Sequence, residues 1–243
     1  MSEKMQSGEI RVENRFTRWL DNYWYHYKWH TVIGAFVLIV VMICTLQMCT
    51  KEKTDVNILY AGSYSFVESG GTELSSAIGA VMPKDYNGDG RKQVGISSLY
   101  VLSEEQIKAL RQELIESGEE NPLINTGYYA QELNKFYQLL QTGEYSICLM
   151  EAWIYETVRE NGAFLPLSEA LGSKPEAAYD DYTVRLSDTD FGRYFTAAAE
   201  MPADTLIGFR RQGSLTSLMN RERAEKTYAQ ALETFRAIMN FEE

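Results

Sequence analysis

Histidine occurs in this 243-residue chain only at His26 and His30, both ahead of an apolar run at residues 31–49, so residues 50–243 hold none. Its absence there removes Ser-His-Asp and Cys-His activation of a nucleophile, histidine-ligated zinc and imidazole acid–base chemistry. His26 and His30 are four apart, a metal-compatible spacing on a helix, but no cysteine or third histidine joins them and they read as membrane-interface residues. Cys148 is the only cysteine after the apolar run. It sits in YSICLM without a base or a cation beside it, which marks a small core residue rather than a nucleophile. Thirty Asp and Glu follow residue 49 and are enough in number for a two-carboxylate mechanism, yet no spacing singles out a pair.

Asp85-Tyr86-Asn87-Gly88-Asp89-Gly90 copies the first half of a calcium loop, with oxygens at Asp85, Asn87 and Asp89 and a glycine sixth. The twelfth position, which should hold a bidentate glutamate, is Ile96. An Asx-rich turn therefore describes the segment better than a weak calcium site. The remaining residues with recognition chemistry are Ser63, Tyr64 and Ser65, in a loop after a first apolar strand, and Glu151 and Trp153, after a later one. Trp153 suits stacking on a sugar ring or an amphipathic ligand, or packing in the core. Glu151 suits an amine or hydroxyl, or the positive end of the helix that follows. These five form the candidate ligand-binding set; no catalytic residue, metal site or cofactor is assigned.

The elements that would hold these residues alternate. Residues 54–60 read as a strand, and Thr72 as the N-cap of a helix that presents Leu74, Ala77, Ile78 and Val81 and stops at Pro83. Residues 94–102 read as a strand. Ser103 and Gln106 form a capping box for a helix to about Ser117, with Ile107, Leu110 and Leu114 facing the core. A further helix runs from Thr126 to its C-cap Gly143, a buried strand covers 145–150, and a helix reaches Asn161-Gly162. Periodicity fades between Gly172 and Asp190. A strand at 204–210 and an amphipathic helix at 221–241 complete the chain. Such alternation predicts an α/β domain with a mostly parallel sheet.

The apolar run has no charged residue and, at about 1.5 Å per residue, is just long enough for a hydrocarbon core of roughly 30 Å. Arg11, Arg15, Arg18 and Lys28 precede it, against Lys51 and Lys53 after it, which predicts a cytoplasmic N-terminus and an extracytoplasmic remainder. Four acids ahead of the run and no A-x-A-like site after it argue against a cleaved signal peptide. Leu46-Gln47-Met48 before Cys49 departs from a lipobox, which wants a small residue there. Phe16, Trp19, Leu20, Tyr23, Trp24 and Tyr27 recur at helical spacing, opposite Arg15, Arg18, Asp21, Asn22 and His26. With Trp29 they predict an interfacial helix along the inner leaflet, an aromatic belt at the headgroups. From residue 50 onward 18 Lys and Arg face 30 Asp and Glu, a net of −12 beside +1 for the first 49 residues and −11 for the chain. So acidic a domain excludes nucleic acid as a partner and stands off anionic lipid.

Between Leu139 and Leu171 the chain runs Leu139-Leu140-Gln141-Thr142-Gly143-Glu144, an apolar strand, a helix ending in Asn161-Gly162, then Phe164-Leu165-Pro166-Leu167 and an acidic-start helix. This resembles the extracellular solute-binding proteins of ABC importers, with a type II periplasmic-binding-protein-like fold, over about thirty residues. The chain departs from that family in carrying Tyr145-Ser146-Ile147 where "pDv" is usual, in its shorter length and in an apolar anchor that is not cleaved. The resemblance implies a reduced, non-catalytic binding module of a bacterial importer system.

The reading is thus a single-pass protein: residues 1–30 cytoplasmic with the aromatic helix, 31–49 spanning, and 50–243 an extracytoplasmic α/β domain. Its expected partners are membrane lipid and either a small solute or an integral membrane protein such as a transporter. The alternatives are a structural or regulatory subunit docking through its ectodomain, and a two-carboxylate hydrolase.

Overall fold

The structure, a computed structural model, describes residues 15–50, 54–66, 70–213 and 221–242, with side chains in the first helix described at residues 19 and 23–45. The chain divides into two compact units, Met1–Glu52 and Lys53–Glu243.

The described residues of the first unit form one uninterrupted helix, α1 (Arg15–Thr50). Within it Tyr23–Thr45 is long and apolar enough to cross a membrane, as a membrane anchor or a signal sequence would be. An in-plane helix preceding a span needs a break between the two, and α1 has none, so the aromatic segment continues directly into the apolar one. Trp19, Tyr23 and Tyr27 stack in sequence at centroid distances of 5.7 and 5.4 Å, as i, i+4 neighbours do. The Thr31 hydroxyl donates to the Tyr27 carbonyl at the top of this ladder. Trp24 and Trp29 are exposed beside it, as are Trp19, Tyr23 and Tyr27.

The second unit is built on five strands: β1 (Val56–Gly62), β2 (Val94–Tyr100), β3 (Ile147–Glu151), β4 (Thr183–Arg185) and β5 (Thr205–Phe209). They lie in the order β2-β1-β3-β5-β4. β1 pairs in parallel with β2 and β3, whereas β5 runs antiparallel to both β3 and β4. The sheet is therefore mixed: β1, β2, β3 and β4 share one direction and β5 alone is reversed. Between β4 and β5 the chain forms only a 3-10 turn at Leu186–Asp188, α7 (Asp190–Tyr194) and α8 (Thr196–Ala199). β5 starts at the end where β4 stopped, and the two strands pair antiparallel through Thr183–Gly208, Val184–Ile207 and Arg185–Leu206.

Two-residue periodicity sends the side chains of β1 alternately to two cores. Ile58 and Tyr60 join Ile147, Leu149, Ile207 and Phe209 beneath α2 (Gly70–Val81) and α9 (Arg221–Met239). Leu59 and Ala61 join Cys148, Met150 and Leu206 beneath α4 (Thr126–Thr142) and α5 (Ala152–Val158). Burial on both faces explains why β1 and β3 are continuously apolar rather than alternating. Residues 67–69 lie outside the described set, and α2 already begins at Gly70, so Thr72 falls in its first turn instead of capping it. α6 (Leu167–Leu171) follows Pro166.

α3 (Glu104–Glu116) carries the expected capping box, with Ser103 Oγ accepting from the Gln106 N–H and Gln106 Oε1 accepting from the Ser103 N–H. Its apolar side is not in the core, however: no residue of α3 is fully buried, and Ile107, Leu110 and Leu114 are half-buried.

Candidate functional site

In the β2-β1-β3 part of the sheet the chain winds to one side of β1 and then returns to the other. In such α/β sheets ligands collect at that switch point, beyond the C-terminal ends of the strands. There the loop after β1, the start of α3 and the β3–α5 junction converge on Glu151. The carboxylate is 1% exposed and fully occupied. Oε1 accepts from the Ser63 N–H at 2.5 Å and from Ser63 Oγ at 2.5 Å. Oε2 accepts from Gln106 Nε2 at 2.8 Å and from Trp153 Nε1 at 3.0 Å. One buried charge thus ties together β1, α3, β3 and α5, with four donors replacing the water it gave up.

Gly62 is required beneath this knot, since a Cβ there would lie 2.5 Å from the Tyr60 hydroxyl and 2.7 Å from Glu151 Oε1. The Tyr60 hydroxyl accepts from the Tyr64 N–H at 3.0 Å, and burial pushes its pKa well above the usual phenol range. Thr205 pairs with Glu151 across the antiparallel register, placing Asp204 nearby. Burial, then the charge of Glu151, holds the Asp204 carboxyl above the usual carboxylate value, against the Ala152 N–H that it accepts. Asp204, not Glu151, therefore meets the first N–H of α5; Glu151 is the N-cap residue but makes no side-chain cap.

Of the five candidate residues, Ser63, Glu151 and Trp153 are joined directly by hydrogen bonds. Tyr64 turns to the opposite core with Phe66, at a ring distance of 4.9 Å. Ser65 is exposed. Gln106 is the residue that sequence reasoning missed here. Its capping box accounts for it locally, and nothing in the chain signals that its free amide reaches a carboxylate 45 positions away.

Beside the knot, between α3, α4 and the turn after β2, lies a cavity of about 560 Å³. The size is that of a small-molecule site. Leu102, Ile107, Tyr129, Leu133 and Trp153 supply its apolar walls, and Glu104, Lys108 and Arg111 its charges. Glu151, by accepting the indole N–H, fixes how Trp153 meets this cavity.

A larger cavity, about 800 Å³, opens at the other end of β3 beside Arg210, Gln212 and Gly213, and the chain beyond Gly213 leaves the described residues. Arg210 is a buried cation, 4% exposed, whose guanidinium donates to the carbonyls of Tyr145 and Gly143 at 3.0 and 3.2 Å. Burial lowers its pKa. Gly143 at φ 78° closes α4 and leaves room for it; a Cβ there would lie 2.3 Å from Nη2.

The Asp85 loop is folded on itself. Asp85 accepts from the N–H groups of Asn87, Gly88 and Gly90, and Asn87 accepts from Asp89 N–H. These bonds, Gly90 first, lower the Asp85 pKa. Asp55 accepts from Tyr86, Asn87 and Gln93 N–H and anchors the loop to β1. Among the described residues no group of three His, Cys, Asp or Glu side chains is arranged to hold a metal. Burial pushes the Cys148 thiol up to about 12, which leaves it unreactive.

No protein-family model, curated protein or solved structure matches this chain.

Proposed function

We propose that this protein is a membrane-anchored, extracytoplasmic binding module, a reduced relative of the solute-binding proteins that captures a small molecule without transforming it. The observation that carries this reading is the cavity of about 560 Å³ at the C-terminal ends of the parallel strands, walled by Trp153 and aromatic or aliphatic side chains and rimmed by charge. The long apolar helix, with Val32 to Ile43 exposed, supports the anchor. Occupation of both Glu151 oxygens sets Glu151 aside as a member of a two-carboxylate pair, because neither oxygen is open to a proton or a sugar carbon.

Thermal melts of the full chain in nanodiscs, across a panel of soluble amphipathic compounds, test the reading. A ligand at a hundred times its Kd should stabilise by about 2.7 kcal/mol. That gain should vanish in Trp153→Ala, which itself loses about 2 kcal/mol through a half-buried ring and one hydrogen bond. Stabilisation of both proteins alike, or of neither by any compound, would count against a binding site here.

One observation favours the second reading, a subunit that docks on another membrane protein: Leu123, Ile115 and Tyr128 are 95%, 45% and 44% exposed around the α3–α4 turn. Leu123→Asp should then abolish co-purification of a membrane partner while leaving compound-induced stabilisation unchanged.

A further inference from the structure

We infer that the cavity between α3 and α4 takes an anionic amphiphile, an apolar chain or ring ending in a single carboxylate or phosphate, with the apolar part against Trp153 and Leu133 and the anion at Lys108 and Arg111. The inference rests on the proposed binding role and specifies its ligand. Three observations support it.

Leu102, Ile107, Leu133 and Trp153 supply most of the wall, with Ser103 and Thr126 its uncharged hydroxyls, so the interior chiefly rewards apolar surface. The indole N–H, the one polar group of Trp153, is already given to Glu151, which leaves its ring face as the recognition surface.

The rim carries two cations and one acid in a domain whose net charge is −12 from residue 50 onward. Lys108 and Arg111 are exposed and make no ion pair among the described residues, although Glu104 sits one turn before Lys108 on the same side of the cavity. Lys108 and Arg111 stand three apart on α3, so that one arriving anion can meet both.

The helix bearing them is held chiefly at its start. α3 has no fully buried residue, and Gln106 bonds to Glu151, so the apolar side of α3 facing the cavity is left half-covered for a ligand to complete.

A free carboxylate and an anionic lipid share this chemistry, and the experiment separates them. The full chain is placed in zwitterionic nanodiscs with Trp19→Phe, Trp24→Phe and Trp29→Phe, which leaves Trp153 the sole tryptophan. Its emission is followed on titration with 4-phenylbutyrate, 4-phenylbutanol and 4-phenylbutylamine, and separately in discs containing phosphatidylglycerol with no probe added. The expected result is a saturable change with the carboxylate and about tenfold weaker responses to the alcohol and amine. Lys108→Gln with Arg111→Gln should weaken carboxylate binding about tenfold, as should raised salt in the parent. A change produced by phosphatidylglycerol alone, and lost in the double variant, supports the inference with lipid as the source. Equal responses to all three probes, or carboxylate binding untouched by the double variant, overturns the anion assignment while leaving a binding cavity standing. No response to any probe or lipid overturns the cavity as a site altogether.

Discussion

Glu151 shows how a residue chosen for one chemistry serves another. As a residue type at the end of a strand it offered a ligand contact; in place, its two oxygens are consumed by Ser63, Gln106 and Trp153. Glu151→Ala would strand four donors in a buried space and should cost about 3 kcal/mol, measured by denaturant unfolding. A loss below about 1 kcal/mol would show that water replaces the carboxylate freely. A second carboxylate reports through pH. Burial acts to raise the Asp180 pKa, but hydrogen bonds from the Tyr155 hydroxyl, the Tyr182 and Thr183 N–H groups and the Thr183 hydroxyl outweigh it, and the net effect is a lowered value. A lowered folded pKa adds stability that is fully present above the ordinary value of 3.8 and is lost as pH falls through it toward the folded value. Stability of the parent should therefore drop more steeply than that of Asp180→Asn as pH falls below about 4. Parallel pH profiles would show that Asp180 is not the titrating group.

Among the described α-helices of the second unit, α3 alone buries no residue fully. Its N-terminus is capped and tethered through Gln106, but no side chain along it is fully buried, whereas α9 buries Ala231, Thr234, Phe235 and Ile238. Hydrogen exchange should therefore be fast in α3 and slow in α9. Gln106→Ala removes the cap bond and the Glu151 bond together, and should speed exchange in α3 by about tenfold while α9 keeps its rate. Uniform acceleration in both helices would mean that α3 opens only with the whole domain. The amphipathic pattern Ile107, Leu110, Leu114 was legible in the sequence, but a pattern states only that one side is apolar. What covers that side is a tertiary matter, and here it is partly an open cavity.

For the whole molecule, the excess of Arg11, Arg15, Arg18 and Lys28 over Lys51 and Lys53 predicts that residues 50–243 lie outside the cytoplasm. Ser173 is exposed, so Ser173→Cys, with Cys44 and Cys49 replaced by Ser and buried Cys148 retained, should react with an impermeant maleimide on intact cells. Labelling that requires permeabilisation would reverse the orientation. Local chemistry sufficed to mark the long apolar helix, the Ser103–Gln106 capping box, the stop at Gly143 and the alternation of helices with strands, because each depends on residues within a few positions of one another. The three-residue strand β4 is too short to show a period, and the reversal of β5 is set by its pairing with β3 and β4. The union of Ser63, Gln106, Glu151 and Trp153 depends on register between β1 and β3. Such pairings over tens of residues are set by which faces can be buried together, and that is decided only when the sheet and its helices close on each other.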